Sequence, residues 1–193
     1  MHVYLLRHGH TDASGTYTGV SDVELSNTGI EETGQLADLV ESITLDHCYC
    51  SPLRRCRKTA ALLGIKCTTV YDDGLREIDF GRWEGRSFTQ IARTDPENLL
   101  LWGEQKELFT FPDGERVLDF TNRIEKWFNH LLSSAEDSVL VVSHAGVIRH
   151  ALCHLLGLDH SAAFQFKINE AALTLISSEN GFNQLNFLNR RGV

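Results

Sequence analysis

The chain has 193 residues, 42% apolar and 23% charged, which excludes a disordered or fibrous protein and at roughly 150 residues per domain predicts one domain over 1–193. Eighteen basic against 26 acidic residues leave a formal charge of −8, which argues against a nucleic-acid binder, whose affinity comes from phosphate neutralisation by Lys and Arg. No apolar run approaches the roughly 18–20 residues of a membrane span, and five cysteines without C-x-x-C pairing suit reduced thiols in a cytoplasmic protein.

In chain order, His2-Val3-Tyr4-Leu5-Leu6 is a short apolar run that predicts a buried strand. Ile30, Leu36, Leu39, Val40 and Ile43 recur at helical spacing after Ser26-Asn27-Thr28-Gly29. His47 to Cys50 predicts a second strand. Ser51-Pro52 has the pattern of an N-cap and first helical position, opening a helix to about Gly64. Cys67 to Tyr71 predicts a third strand, and an amphipathic helix is expected from about Glu115 to Ser133. Val139 to Val142, continuous and β-branched, is a fourth strand, followed by a helix over Val147 to Leu156. Ala172 to Ser177 and Phe182 to Leu188 flank Glu179-Asn180-Gly181, a hairpin signal. Strands alternating with helices predict an α/β sandwich. The stretch from about 80 to 114 breaks the rhythm and carries Trp83, Phe88, Trp102, Phe109 and Phe111. It is expected to be an excursion covering the active site at one end of the sheet.

Two strands end alike. One runs into Arg7-His8-Gly9, the other into Ser143-His144-Ala145-Gly146. Ligands in open α/β sheets bind beyond the carboxyl ends of strands, and the nearby glycines would let backbone approach a ligand. Arg54, Arg55, Arg57 and Lys58 stand in the first two turns of the helix after Ser51, where cations oppose the macrodipole. An anion bound there would account for them, with one arginine facing it and the others solvated. Around Glu77, apolar Leu75, Ile78 and Phe80 would raise a carboxyl pKa by desolvation, as a general acid requires.

These segments are similar to those of a known family. Arg7-His8-Gly9-His10-Thr11 resembles the R-H-G-x-T signature of the phosphoglycerate-mutase-like histidine phosphatase superfamily. Ser51 to Ala60 resembles its S-x-L-x-R-A-x-x-T-A element, with Cys56 in the alanine place. Leu75-Arg76-Glu77 with Phe80-Gly81-Arg82-Trp83-Glu84-Gly85 resembles its acid-bearing loop, and Ser143-His144-Ala145-Gly146 its second histidine motif. The resemblance implies a three-layer α/β/α sandwich on a six-stranded mixed sheet of order 3-2-4-1-5-6. It implies a metal-independent phosphatase without cofactor, acting on a small phosphomonoester. His8 would be the nucleophile and Glu77 the acid and later base, with Arg7, Arg55 and His144 around the phosphoryl group. Thr11, Ser14, Thr18, Gly19 and Ala145 would complete the phosphate and substrate contacts, Ser14 standing where many members carry Asn.

Mutases of this family are longer and carry a G-L-N-K-type stretch that is absent here, so a phosphatase is favoured over phosphoglycerate mutase. The length, Tyr17-Thr18-Gly19, the loop at 80–85 and Trp102 are similar to the alpha-ribazole phosphatases of cobalamin biosynthesis. Broad-specificity sugar-phosphate phosphatases share these features. Phe80, Trp83 and Trp102 would either stack a flat benzimidazole or pack the core. A phospho-ligand-binding module is the non-enzyme alternative, disfavoured because His8 and Glu77 are both present. His150 and His154, four apart on a predicted helix, have zinc-chelating spacing but no third ligand, and are read as packing or surface residues. Monomer and homodimer stay open.

Overall fold

The computed structural model describes residues 1–192. Six strands form one sheet of order β3-β2-β4-β1-β5-β6. The strands are β1 (His2–Arg7), β2 (His47–Cys50), β3 (Thr68–Tyr71), β4 (Ser138–Ser143), β5 (Ala172–Glu179) and β6 (Phe182–Arg190). The first four run parallel, whereas β5 runs antiparallel to both of its neighbours, β1 and β6. The order and the mixed sense agree with the expected fold. Asn180 (φ 50°) and Gly181 (φ 78°) make the two-residue turn that closes the final hairpin, both in the left-handed region a type I′ turn requires.

Alternate residues of the central strands enter two separate cores. Val3, Leu5, Val139 and Val141 pack with α6 (Val117–Leu132) and α7 (Ala145–Leu155). Leu6, Leu140, Val142, Cys48 and Cys50 pack with α2 (Ala37–Glu41) and α3 (Arg54–Leu62). A strand covered on both faces needs no polar alternation, which explains the unbroken apolar run of β4. On α6, the buried Val117, Phe120, Thr121, Ile124, Phe128 and Leu131 follow the helical period.

Three boundaries differ from expectation. The helical stretch after Ser26 divides into α1 (Asn27–Gly34) and α2, with Ser26 Oγ capping Gly29 N–H. The third helix starts at Arg54, not Pro52, because Leu53 is extended and Asp22 accepts the Arg54 amide at 2.7 Å. The second histidine stands immediately before α7, which begins two residues earlier than expected. The excursion holds α4 (Phe88–Thr94) and α5 (Pro96–Gln105), and its Trp83, Phe109 and Phe111 join the α6–α7 core.

Candidate active site

The parallel ladders bring three strand ends to one level. Arg7 pairs with Ser143 across β1 and β4, and Cys50 with Val142 across β2 and β4. The next amides continue the pattern, His8 N–H to the Ser143 carbonyl and Ser51 N–H to the Val142 carbonyl, each at 3.0 Å. His8, Ser51 and His144 are therefore adjacent, and the two imidazole rings meet edge-on with centroids 5.2 Å apart.

The hydrogen bonds fix which nitrogen is free on His8. Its Nδ1 lies 2.8 Å from the Gly9 carbonyl, which can only accept, so Nδ1 carries the proton and Nε2 keeps a lone pair. Burial, then the Arg55 and Arg7 cations, hold its pKa well below 6.5, so the ring is neutral near pH 7. His144 has the opposite tautomer. Its Nδ1 accepts from Arg55 Nε at 3.2 Å, and its Nε2–H donates to Ser51 Oγ at 2.8 Å. Burial and Arg55 push this pKa down as well.

Arg55 is 1% exposed. Besides His144 it donates to the Gly19 carbonyl at 2.6 Å and the Ser21 carbonyl at 2.8 Å. Its neighbours Arg54, Arg57 and Lys58 are exposed, so one of the four cations faces inward. The first α3 amide is not open to an anion, since Asp22 holds it. Arg7 donates to the Ile168 carbonyl at 2.7 Å and to Glu170 at 3.1 Å, while its buried Nε has no protein acceptor. That unpaired donor suits an anionic ligand.

Glu77 is 7% exposed, and burial raises its pKa against the pull of two amides and two arginines. Those amides are Ile78 N–H on Oε1 at 3.1 Å and Gly146 N–H on Oε2 at 2.9 Å. A side chain at position 146 would collide with this carboxylate, and one at position 9 with the Gly29 carbonyl and Thr33 hydroxyl. Both glycines thus admit protein groups rather than ligand backbone, a correction to the sequence reading.

A cleft of about 310 Å³ adjoins these groups. Arg7, Glu77, Thr18, Ala145, Gly146 and Arg149 line its polar side, while Tyr17, Phe80, Phe88, Trp102, Phe111 and Phe164 line its aromatic side. The expected aromatic trio divides. Phe80 and Trp102 face the cleft, whereas Trp83 is fully buried, with its indole N–H on Asp95 at 2.9 Å. The remaining expected contacts do not line the cleft. Thr11 is buried, Ser14 Oγ donates to Glu170 at 2.7 Å, and Gly19 sits behind Arg55.

Sequence reading missed three supporting residues. Ser51 is a buried partner of His144 rather than a helix cap. Glu170 gathers Arg7 and Ser14. Glu84 accepts the amides of Gly19, Val20, Ser21 and Phe80 at 3.0–3.2 Å, tying down the loop whose carbonyls hold Arg55. Ser51 and Glu84 lay within recognised segments; no local pattern marks Glu170.

All five cysteines are free. Burial pushes Cys56, 3.5 Å from His144 Nε2, up to about 12, so it is a protonated thiol filling the alanine place. Among the described residues no group of three or more His, Cys, Asp or Glu is arranged to hold a metal ion. No described helix is long and apolar enough to cross a membrane.

Comparison with known proteins places this geometry. The chain is 29% identical to the adenosylcobalamin/alpha-ribazole phosphatase of Escherichia coli K12, over 100% of this chain and 98% of that protein. It is 30% identical to phosphoserine phosphatase 1 of Hydrogenobacter thermophilus, over 96% and 90%. The crystal structure of the alpha-ribazole phosphatase from Shigella flexneri superposes with a TM-score of 0.93 at 28% identity, covering 100% and 98% of the two chains. The family model of the histidine phosphatase superfamily (branch 1) matches residues 3–191, and the chain belongs to that superfamily as a phosphatase of small phosphorylated molecules.

Proposed function

We propose that the protein hydrolyses alpha-ribazole 5′-phosphate through a phosphohistidine on His8. The observation that carries the reading is the His8 imidazole, neutral with Nε2 free, beside Arg7 and Arg55 and a carboxyl of raised pKa. In the first step the Nε2 lone pair forms a bond to phosphorus and the ester P–O bond breaks. The leaving oxygen takes the Glu77 proton and departs as an alcohol. In the second step water attacks the phosphohistidine and gives its proton to the Glu77 carboxylate. The P–N bond breaks, returning its electron pair to His8 and releasing inorganic phosphate. Arg7, Arg55 and His144 surround the transferring group, the two guanidinium groups balancing the charge on its equatorial oxygens. Thr11, Ser14 and Gly19 act behind this shell by fixing the loops, while Thr18 and Ala145 border the substrate. In this reading 1–193 is one domain and the excursion at 80–114 covers its site.

The substrate assignment rests on the alpha-ribazole phosphatases of matching length and on an aromatic wall suited to a flat base. One observation favours a second reading. Arg149 lines the cleft and donates its Nε–H to the Phe166 carbonyl, but forms no ion pair among the described residues. A guanidinium so placed would complement the carboxylate of phosphoserine. Initial rates with alpha-ribazole 5′-phosphate, phosphoserine and 3-phosphoglycerate separate the readings, with the first expected to give the highest kcat/KM. A higher value for phosphoserine would replace the assignment. Rapid quenching with ³²P-labelled substrate should trap acid-labile phosphate on His8, and phosphate on Ser or Cys would overturn the mechanism.

A further inference from the structure

A chain of three polar side chains leads from the cleft to the surface and has no part in the scheme above. His150 on α7 lines the cleft and is 7% exposed. Its Nδ1 lies 3.0 Å from Nδ1 of His160, and the two rings stack with centroids 5.1 Å apart. His160 Nε2 lies 2.7 Å from the Glu125 carboxylate on α6. The carboxylate only accepts, so His160 carries a proton on Nε2. An unprotonated Nδ1 on His160 accepts from the Nδ1–H of His150, which leaves the His150 lone pair on Nε2. Thr121 Oγ1, 3.2 Å from the same Nδ1, shares that N–H. The Nε2 atom takes no partner among the described residues and is open to solvent. The cleft is the space left for it.

Packing alone does not require this residue. His150 meets Phe120 edge-on, a contact an aromatic hydrocarbon would make without leaving an acceptor unpaired. Its position along α7 matters more. Gly146, whose amide holds Glu77, stands four residues earlier on the same helix face. At roughly 1.5 Å rise per residue, His150 lies about 6 Å beyond the proton donor. That is too far for the reacting oxygen and suits a second polar group on the leaving moiety.

We infer that His150 is a specificity-determining residue whose Nε2 accepts a hydrogen bond from a hydroxyl of the leaving group, about one helical turn beyond the scissile ester. His160 and Glu125 are positioning residues that set its tautomer. The vicinal hydroxyls of a ribose 5-phosphate moiety are donors of the required kind. Burial above all lowers the His150 pKa to about 4, which keeps its ring unprotonated near neutral pH. The inference rests on the phosphatase reading but fails separately from it.

The experiment compares kcat/KM for alpha-ribazole 5′-phosphate, its 2′,3′-dideoxy analogue and phenyl phosphate. The wild-type chain should prefer the parent nucleotide over the dideoxy compound by about tenfold, as one lost hydrogen bond to a built acceptor predicts. His150→Phe should bring that ratio close to one. His160→Phe, which keeps the stacked ring but removes the Nδ1 acceptor, should lower it in the same direction. It should also shift the ¹⁵N resonances of His150 away from the Nδ1–H pattern. A ratio near one in the wild type, measurable whether or not a variant folds, overturns the inference while phenyl phosphate turnover upholds the phosphatase. An unchanged ratio in His150→Phe overturns it as well. Failure of the wild type to hydrolyse all three compounds would remove the phosphatase reading itself.

Discussion

The strand-end cluster and the aromatic wall of the adjoining cleft are built oppositely. In the cluster, His8, Arg55 and His144 are 7%, 1% and 1% exposed, and a protein acceptor or donor orients each. On the wall, Phe80 and Trp102 are half-buried, Phe88 and Phe164 are exposed, and contacts run ring to ring, as between Trp102 and Phe164 at 5.8 Å. Directional bonds on rigid strand ends hold reacting groups to the tolerance chemistry requires. Ring contacts tolerate shifts and so accommodate different leaving groups. Reaction and selection are therefore separable here, and substitutions in the two regions should have different signatures.

The largest effects belong to the cluster. His8→Ala should lower kcat by roughly 10⁴-fold or more, with no labelled protein on quenching, since the variant lacks the nucleophile. Glu77→Gln should cost roughly 10²–10⁴-fold with an alkyl phosphate, whose alkoxide needs a proton, and clearly less with 4-nitrophenyl phosphate. Comparable losses on both substrates would break the acid assignment. Neither variant should alter the preference between leaving groups that differ only far from the ester.

An intermediate effect is a pH dependence of stability. His8 and His144 have folded pKa values well below the ordinary 6.5, and that of His150 lies at about 4. Between those values and 6.5 the unfolded chain binds protons that the native chain does not. Native stability is therefore full above pH 6.5 and declines as pH falls below it. Glu77, raised above 4.5, acts in the opposite sense once pH drops through its folded value and down to 4.5. Urea denaturation between pH 8 and 5.5 should show the decline, and His144→Gln should flatten it by up to about 1.4 kcal/mol per pH unit. An unchanged slope would mean that His144 is not held neutral. Replacing Trp102 should leave the slope as it was.

The same division decided what the sequence could disclose. The β4 run, the Asn180-Gly181 turn and the two histidine-bearing strand ends are local patterns, set by strand periodicity and turn chemistry, and they give the α/β class, while the order of the sheet comes from the family resemblance. The candidate reacting residues also sit in short contiguous segments. The bonds of their supports are mostly long-range. Glu84 bonds amides 63–65 residues away, and Ser51 reaches His144 across 93. Glu170 meets Arg7 across 163. No spacing rule encodes such partners, because the crossover order of the sheet brings them together. Ser51-Pro52 shows the cost: it carries a sound local helix-start signal, overridden when Asp22 from another loop caps Arg54.

The smallest effect tests the wall. Trp102 touches Phe109, Phe111 and Phe164 at centroid separations of 5.1–5.8 Å, and it lines the cleft. Trp102→Ala removes one stacking surface and leaves the charged groups in place. A lost aromatic contact is worth about 0.5–1.5 kcal/mol, or roughly a few-fold to tenfold. The loss should appear as a raised KM for alpha-ribazole 5′-phosphate, with kcat nearly constant. For a small phosphate without a ring, such as 3-phosphoglycerate, KM should change less than twofold, because that substrate does not reach the wall. A fall in kcat common to both substrates would mean that the wall helps to hold the cluster, through Phe111 and its edge-on contact with Phe80, 4.9 Å away beside the acid-bearing loop. Reaction and selection would then form one mechanical unit, and the two regions could not be altered independently.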